Sequence, residues 1–126
     1  MRTHRLILLA HGSSRASWRQ PIEALAERLG AELGPGAVAA AYLELCPPDL
    51  LAVAEAAVAE GITQLTVLPL FWSGGGHVTR DIPPQVAAVA QRFPDLAVTV
   101  TAAVGEHPAL VTALLGVARA AESGDG

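Results

Sequence analysis

Residues 62–77 read ITQLTVLPLFWSGGGH, and the fold turns on how that stretch is divided. Residues 62–70 are rich in leucine and β-branched side chains, a short apolar run suited to a strand buried on both faces. Gly74, Gly75 and Gly76 then permit backbone shapes that other residues avoid, and His77 follows at once. The start of the chain repeats the theme: RLILLA (5–10) is apolar, and HGSSR (11–15) is a small-residue turn that opens with a histidine. Both segments read as a strand that ends in a turn and leads into a helix.

The rest of the chain extends this alternation. Trp18, Ile22, Leu25, Ala26, Leu29 and Leu33 recur at three- and four-residue steps, which predicts a helix over 17–33 with Pro21 near its start. GPG (34–36) ends it. AVAAAYLEL (37–45) reads as a second strand, and CPPDL leads into a helix over 49–60 closed by Gly61. A third helix over 82–93 carries its prolines in the first turn. Residues 96–103 read as a fourth strand, 105–121 as a fourth helix, and 122–126 as a frayed tail. Strands that alternate with helices through short connections imply parallel pairing and right-handed crossovers. The expectation is an α/β, flavodoxin-like, three-layer fold: one domain over 1–126, a four-stranded parallel sheet of order 2-1-3-4, and helices on both faces.

Composition narrows the function. Of 126 residues, 52% are apolar but only 4% aromatic, so the core must be built from Leu, Val and Ala. All eight basic residues are arginines and the net charge is −4, which leaves no basic face of the kind nucleic acid needs. Cys46 is the single cysteine, so no intrachain disulfide can form, as expected in a reducing compartment. LILLA is shorter than the roughly 7–15 residues of a signal h-region, and no run approaches the roughly 20 apolar residues of a membrane span. A cytoplasmic location is expected.

In open parallel sheets, ligands bind beyond the carboxyl ends of the strands, at the switch in strand order. In a 2-1-3-4 sheet that switch lies between strands one and three. His11 follows the first and His77 the third, so both imidazoles can face one cleft, and Glu44 on strand two can reach its rim. Imidazole suits first-row divalent metals and accepts protons near neutral pH. A histidine after a strand can also simply close a turn, and Glu44 can be a solvated strand-end acid. Arg15, Arg19 and Arg80 lie near the cleft, and arginine grips carboxylates bidentately, although Arg19 reads equally well as surface charge. His4 lies at the wrong end of the sheet, and His107 precedes a helix start. A histidine phosphatase would carry an arginine just before its first histidine, where Ala10 stands. No Ser-His-Asp set, CxxC or GxGxxG is present.

LILLAHGSSR, AYLELCPPDL, ITQLTVLPLFWSGGGHVTRDIP and VGEHPAL together resemble the short sirohydrochlorin chelatases of the CbiX type, within the class II chelatases. The resemblance runs from about Leu6 to Leu115. It implies insertion of a divalent metal, cobalt or ferrous iron, into the tetrapyrrole sirohydrochlorin, with nickel inserted by relatives in methanogens. The metal is then a substrate, and no prosthetic group is implied. The family's two histidines map onto His11 and His77 as catalytic and metal-binding residues, and its strand-two glutamate onto Glu44. Arg15, Arg80, Gly75 and Gly76 fall where the macrocycle would lie. The short members pair, which implies a homodimer; Leu70, Phe71 and Trp72 are candidate contacts, because exposed aromatics often mark interfaces, although Leu70 and Phe71 read equally well as core. Two departures stand out: HGSSRASW lacks the Arg-Asp-Pro often found after His-Gly-Ser, and Trp72 stands where leucine is common. A metal carrier or tetrapyrrole-binding module without catalysis is the competing expectation.

Overall fold

The computed structural model describes residues 1–124, apart from the side chains of His77, Val78 and Thr79. The elements in order are β1 (His4–Ala10), α1 (Ala16–Leu33), β2 (Val38–Tyr42), α2 (Leu50–Ala59), β3 (Gln64–Pro69), α3 (His77–Arg92), β4 (Ala97–Val100), a 3-10 turn (Val104–Glu106) and α4 (Pro108–Glu122). The sheet runs β2-β1-β3-β4 with every pair parallel, as the alternation of elements required. β1 is central: Leu9 stands opposite Ala41 on one side and Pro69 on the other.

Alternate strand residues feed two layers. Ile7, Leu9, Ala41, Leu65 and Val67 point into the main core, where they meet Leu50, Val53, Ala54 and Ala57 of α2 and Ile82 and Val89 of α3. Burying each large aliphatic side chain contributes about 1.5–3 kcal/mol, so this layer carries most of the fold's stability. On the other face Ala10 and Tyr42 lie under Trp18, Arg19 and Ile22 of α1. α1 packs more loosely, and none of its residues is fully buried. α4 stands further out: every residue from Val111 to Arg119 is exposed, although Val111, Leu114, Leu115 and Val117 are apolar. Among the described residues no helix is long and apolar enough to cross a membrane.

The amino end of the sheet is closed by the two early arginines. Arg5 is buried; its Nε donates to the Gly36 carbonyl at 2.7 Å and its Nη1 to Glu60 Oε2 at 2.9 Å. Arg2 donates to the carbonyl of Leu33, the last residue of α1.

β3 and β4 are shorter than the sequence reading of 62–70 and 96–103, running Gln64–Pro69 and Ala97–Val100, and three further boundaries differ. β2 ends at Tyr42 rather than 45, because Leu45 takes a left-handed conformation (φ 71°) that a strand cannot continue through. α4 begins at Pro108 rather than 105, after the separate 3-10 turn. α3 begins at His77 rather than 82, so Pro83 and Pro84 lie inside the helix. Proline favours a first turn but does not require it. Here the burial of Ile82 and Val89 holds the helix against the core, and its first turn extends upstream of the prolines.

Candidate functional site

The carboxyl ends of β1, β2 and β3 meet at one rim, and the backbone ladder extends past the strands themselves. Leu43 N–H donates to the Ala10 carbonyl at 2.9 Å, and Glu44 N–H to the His11 carbonyl at 3.0 Å. Glu44 is therefore held beside His11 although it lies two residues beyond β2. Gly12 makes this approach possible: its φ is +105°, and a Cβ there would overlap the Glu44 carbonyl oxygen. Nothing larger than glycine fits.

The side chains pair as well. His11 Nε2 lies 3.0 Å from Glu44 Oε1, with both side chains about half exposed. His11 Nδ1 lies 3.3 Å from the Gly12 carbonyl oxygen. A carboxylate can only accept, so Nε2 carries the hydrogen in this contact. The turn below is braced from α1: Ser13 Oγ accepts from Arg15 N–H at 3.1 Å, and Arg19 Nη1 donates to the Ser13 carbonyl at 2.8 Å. Arg19 thus supports the His11 turn, a role that helical periodicity could not reveal because its partner lies in the preceding turn.

Beside His11 is a cavity of about 170 Å³ walled by Gly12, Ser13, Trp18, Arg19, Ile22 and Tyr42. Burial raises the Tyr42 phenol above its ordinary pKa, and the nearby Glu23 carboxylate adds to the shift. Trp18 stands 70% exposed at the cavity mouth.

The third side of the rim is the glycine loop. Leu70 N–H continues the β3–β1 ladder to Leu9 O at 2.8 Å. Phe71 then packs against the main core, whereas Trp72 remains 68% exposed. Gly76 has φ 69° and turns the chain into α3; a Cβ on Gly75 or Gly76 would meet nothing within 4 Å among the described residues. The His77 backbone opens α3, while its side chain lies outside the described residues. Arg15 and Arg80 are exposed. Among the described residues His11 and Glu44 are brought together without a third His, Cys, Asp or Glu to complete a cluster. Cys46 lines a shallow groove with Glu44 and Asp49. His4 bonds Thr66 Oγ1 at 2.7 Å on β3, and His107 bonds the Ala102 carbonyl at 2.9 Å. Both contacts are structural.

Known proteins share this architecture. A CbiX protein from Marinobacter aquaeolei VT8 superposes with a TM-score of 0.84 at 33% identity, covering 97% of each chain. A sirohydrochlorin ferrochelatase of Bacillus subtilis is 28% identical over 109 residues, 86% of this chain and 42% of that protein. A sirohydrochlorin cobaltochelatase of Methanopyrus kandleri is 34% identical over 79 residues, 62% of this chain and 54% of that protein. The chain spans about half the length of these curated relatives. The model of the CbiX family matches residues 5–121, nearly the whole of the rim and the sheet that carries it. The chain belongs to the CbiX family.

Proposed function

We propose that the protein is a sirohydrochlorin chelatase that inserts cobalt or ferrous iron into the macrocycle, in cobalamin or sirohaem synthesis. The observation that carries this reading is the pairing of His11 with Glu44 at the carboxyl ends of adjacent strands, with both side chains about half exposed. Metal insertion needs an ion stripped of water, two pyrrole N–H protons removed, and the ion delivered to the ring face. In this reading His11 and His77 hold the incoming metal through imidazole nitrogen. For His11 to ligate through Nε2 its hydrogen must sit on Nδ1, where the Gly12 carbonyl oxygen 3.3 Å away accepts it, and this leaves Glu44 unprotonated beside the ligating nitrogen. Glu44 orients the imidazole and accepts the pyrrole protons one at a time, releasing each to solvent from its half-exposed carboxylate. Arg15 and Arg80 meet the carboxylates of the macrocycle, and Gly75 and Gly76 leave room for its flat face.

We place this chemistry in a cytoplasmic homodimer with one CbiX-like domain per chain. The relatives about twice as long support a second copy, and so does α4, on which Val111, Leu115 and Val117 are half or more exposed among the described residues. The absorption spectrum of sirohydrochlorin provides the test. Cobalt, ferrous or nickel ion added with the protein should convert the free-base spectrum to the metallated one faster than the ion alone. Binding without faster insertion would instead identify a carrier, and hydrolysis of a simple phosphomonoester would identify a phosphatase.

A further inference from the structure

The glycine loop is gripped from outside by the 3-10 turn Val104–Glu106, which follows β4. Gly105 N–H donates to the Phe71 carbonyl at 3.0 Å. Gly105 also sits directly on the Trp72 peptide, where a Cβ would overlap the carbonyl. One residue on, Glu106 Oε1 accepts the Gly74 N–H at 2.9 Å, across 32 residues of sequence. The two Glu106 carboxylate oxygens are also the atoms nearest to where a Gly74 Cβ would stand. Among the described residues this is the one side-chain hydrogen bond made to the segment Trp72–Gly76. Beyond it, none of the described residues lies within 4 Å of where a Cβ on Gly75 or Gly76 would project.

A loop with three successive glycines has a large conformational entropy, and a single anchor at its first glycine restricts where the other two can go. A carboxylate acceptor makes that anchor stronger than a neutral one. We propose that Glu106 is the positioning residue of the glycine loop: by holding the Gly74 amide it sets where the chain enters α3, and so where His77 begins. Its place in metal insertion rests on the chelatase reading given above, whereas its hold on the loop does not.

The test compares Glu106→Ala with Glu106→Gln, which keeps an oxygen acceptor, in the full chain. Gly74 amide exchange is followed by nuclear magnetic resonance. In a Trp18→Phe background, emission reports Trp72 alone, since the chain has two tryptophans. Insertion kinetics are measured alongside. Glu106→Ala should speed Gly74 exchange by about tenfold or more, shift the Trp72 emission, and lower kcat by about tenfold with a smaller change in KM. Glu106→Gln keeps a weaker, neutral acceptor and should fall between the parent and Glu106→Ala on each measure. Unchanged Gly74 exchange and Trp72 emission in Glu106→Ala would overturn the proposal. So would a Glu106→Gln variant that loses all Gly74 protection, a result that stands even if the alanine variant does not fold. If the parent inserts no metal, the chelatase reading falls, and exchange and emission still decide the role of Glu106.

Discussion

His11 and Glu44 are joined twice, by a backbone hydrogen bond of 3.0 Å and by a side-chain contact of 3.0 Å between Nε2 and Oε1. The double link puts a carboxylate against an imidazole nitrogen just beyond the ends of two adjacent strands. The carboxylate therefore does not have to be recruited from a flexible loop when the nitrogen is needed.

Replacing His11 with Ala should lower metal insertion by about a hundredfold or more, the usual scale for a lost acid–base group. Glu44→Gln, which keeps the shape but not the charge, should cost less, about tenfold. Both side chains are half exposed, so thermal midpoints should move by only a few degrees. Full activity in His11→Ala, read from the sirohydrochlorin spectrum, would exclude the assignment.

Gly12→Ala should be more damaging to stability than either. The backbone there has φ +105° and no room for a Cβ. A loss on the order of 1–3 kcal/mol is expected in urea unfolding. Activity should fall with it, since the same change pushes Glu44 away from His11. A variant of parental stability would show that the turn relaxes freely.

The single tyrosine offers a direct pH readout. The Tyr42 phenol is raised above 10.0 in the folded protein, first by burial and then by the charge of Glu23. A raised pKa gives stability that is fully present below the unfolded value near 10 and is lost as pH rises through the folded one. Phenolate absorbance should therefore appear at higher pH in the native chain than in urea. Tyr42→Phe should flatten the alkaline limb of the stability curve. Coincident native and unfolded titrations would contradict the burial seen here.

The acid limb has a counterpart at the other end of the sheet. Glu60 is lowered below its ordinary 4.5 by the hydrogen bond from Arg5, with the guanidinium charge adding to it. The stabilisation it gives is present above about 4.5 and is lost as pH falls through the lower folded value. Glu60→Gln should thus differ from the parent in thermal midpoint at neutral pH and converge with it in acid. Because Glu60 is exposed, the difference should be small and should shrink in salt. A gap that persists in acid would point to lost packing instead.

Assembly is tested on α4. Val111 and Leu115 lie four residues apart on one exposed face. Light scattering at micromolar concentration should give a dimer mass for the parent and a monomer mass for Val111→Glu/Leu115→Glu, with helix content retained. A monomeric parent that inserts metal at full rate would remove the need for a second copy.

The order of elements and the parallel pairing were legible in the sequence, because apolar runs, glycine turns and helical stripes are local signals; the 2-1-3-4 arrangement followed from analogy with flavodoxin-like sheets and is the order found. The rim residues His11 and Glu44 were legible as candidates for the same reason: each stands at the end of an apolar run. Their contact was not. It depends on a ladder that continues two residues past Tyr42, on the left-handed turn at Leu45, and on the missing Cβ of Gly12, none of which has a periodicity. The entry of His77 into α3 was misplaced by five residues because the proline rule is local, whereas the burial of Ile82 and Val89 that overrides it is tertiary. Of Leu70, Phe71 and Trp72, only packing could decide that Phe71 joins the core and Trp72 stays in solvent. The hydrogen bond of Glu106 to Gly74 links residues 32 apart, and no residue of α4 is fully buried among the described residues, which its apolar composition alone would not suggest. Local chemistry set the elements and nominated the residues; distances between segments far apart in sequence exist only once the sheet has brought their ends to one rim.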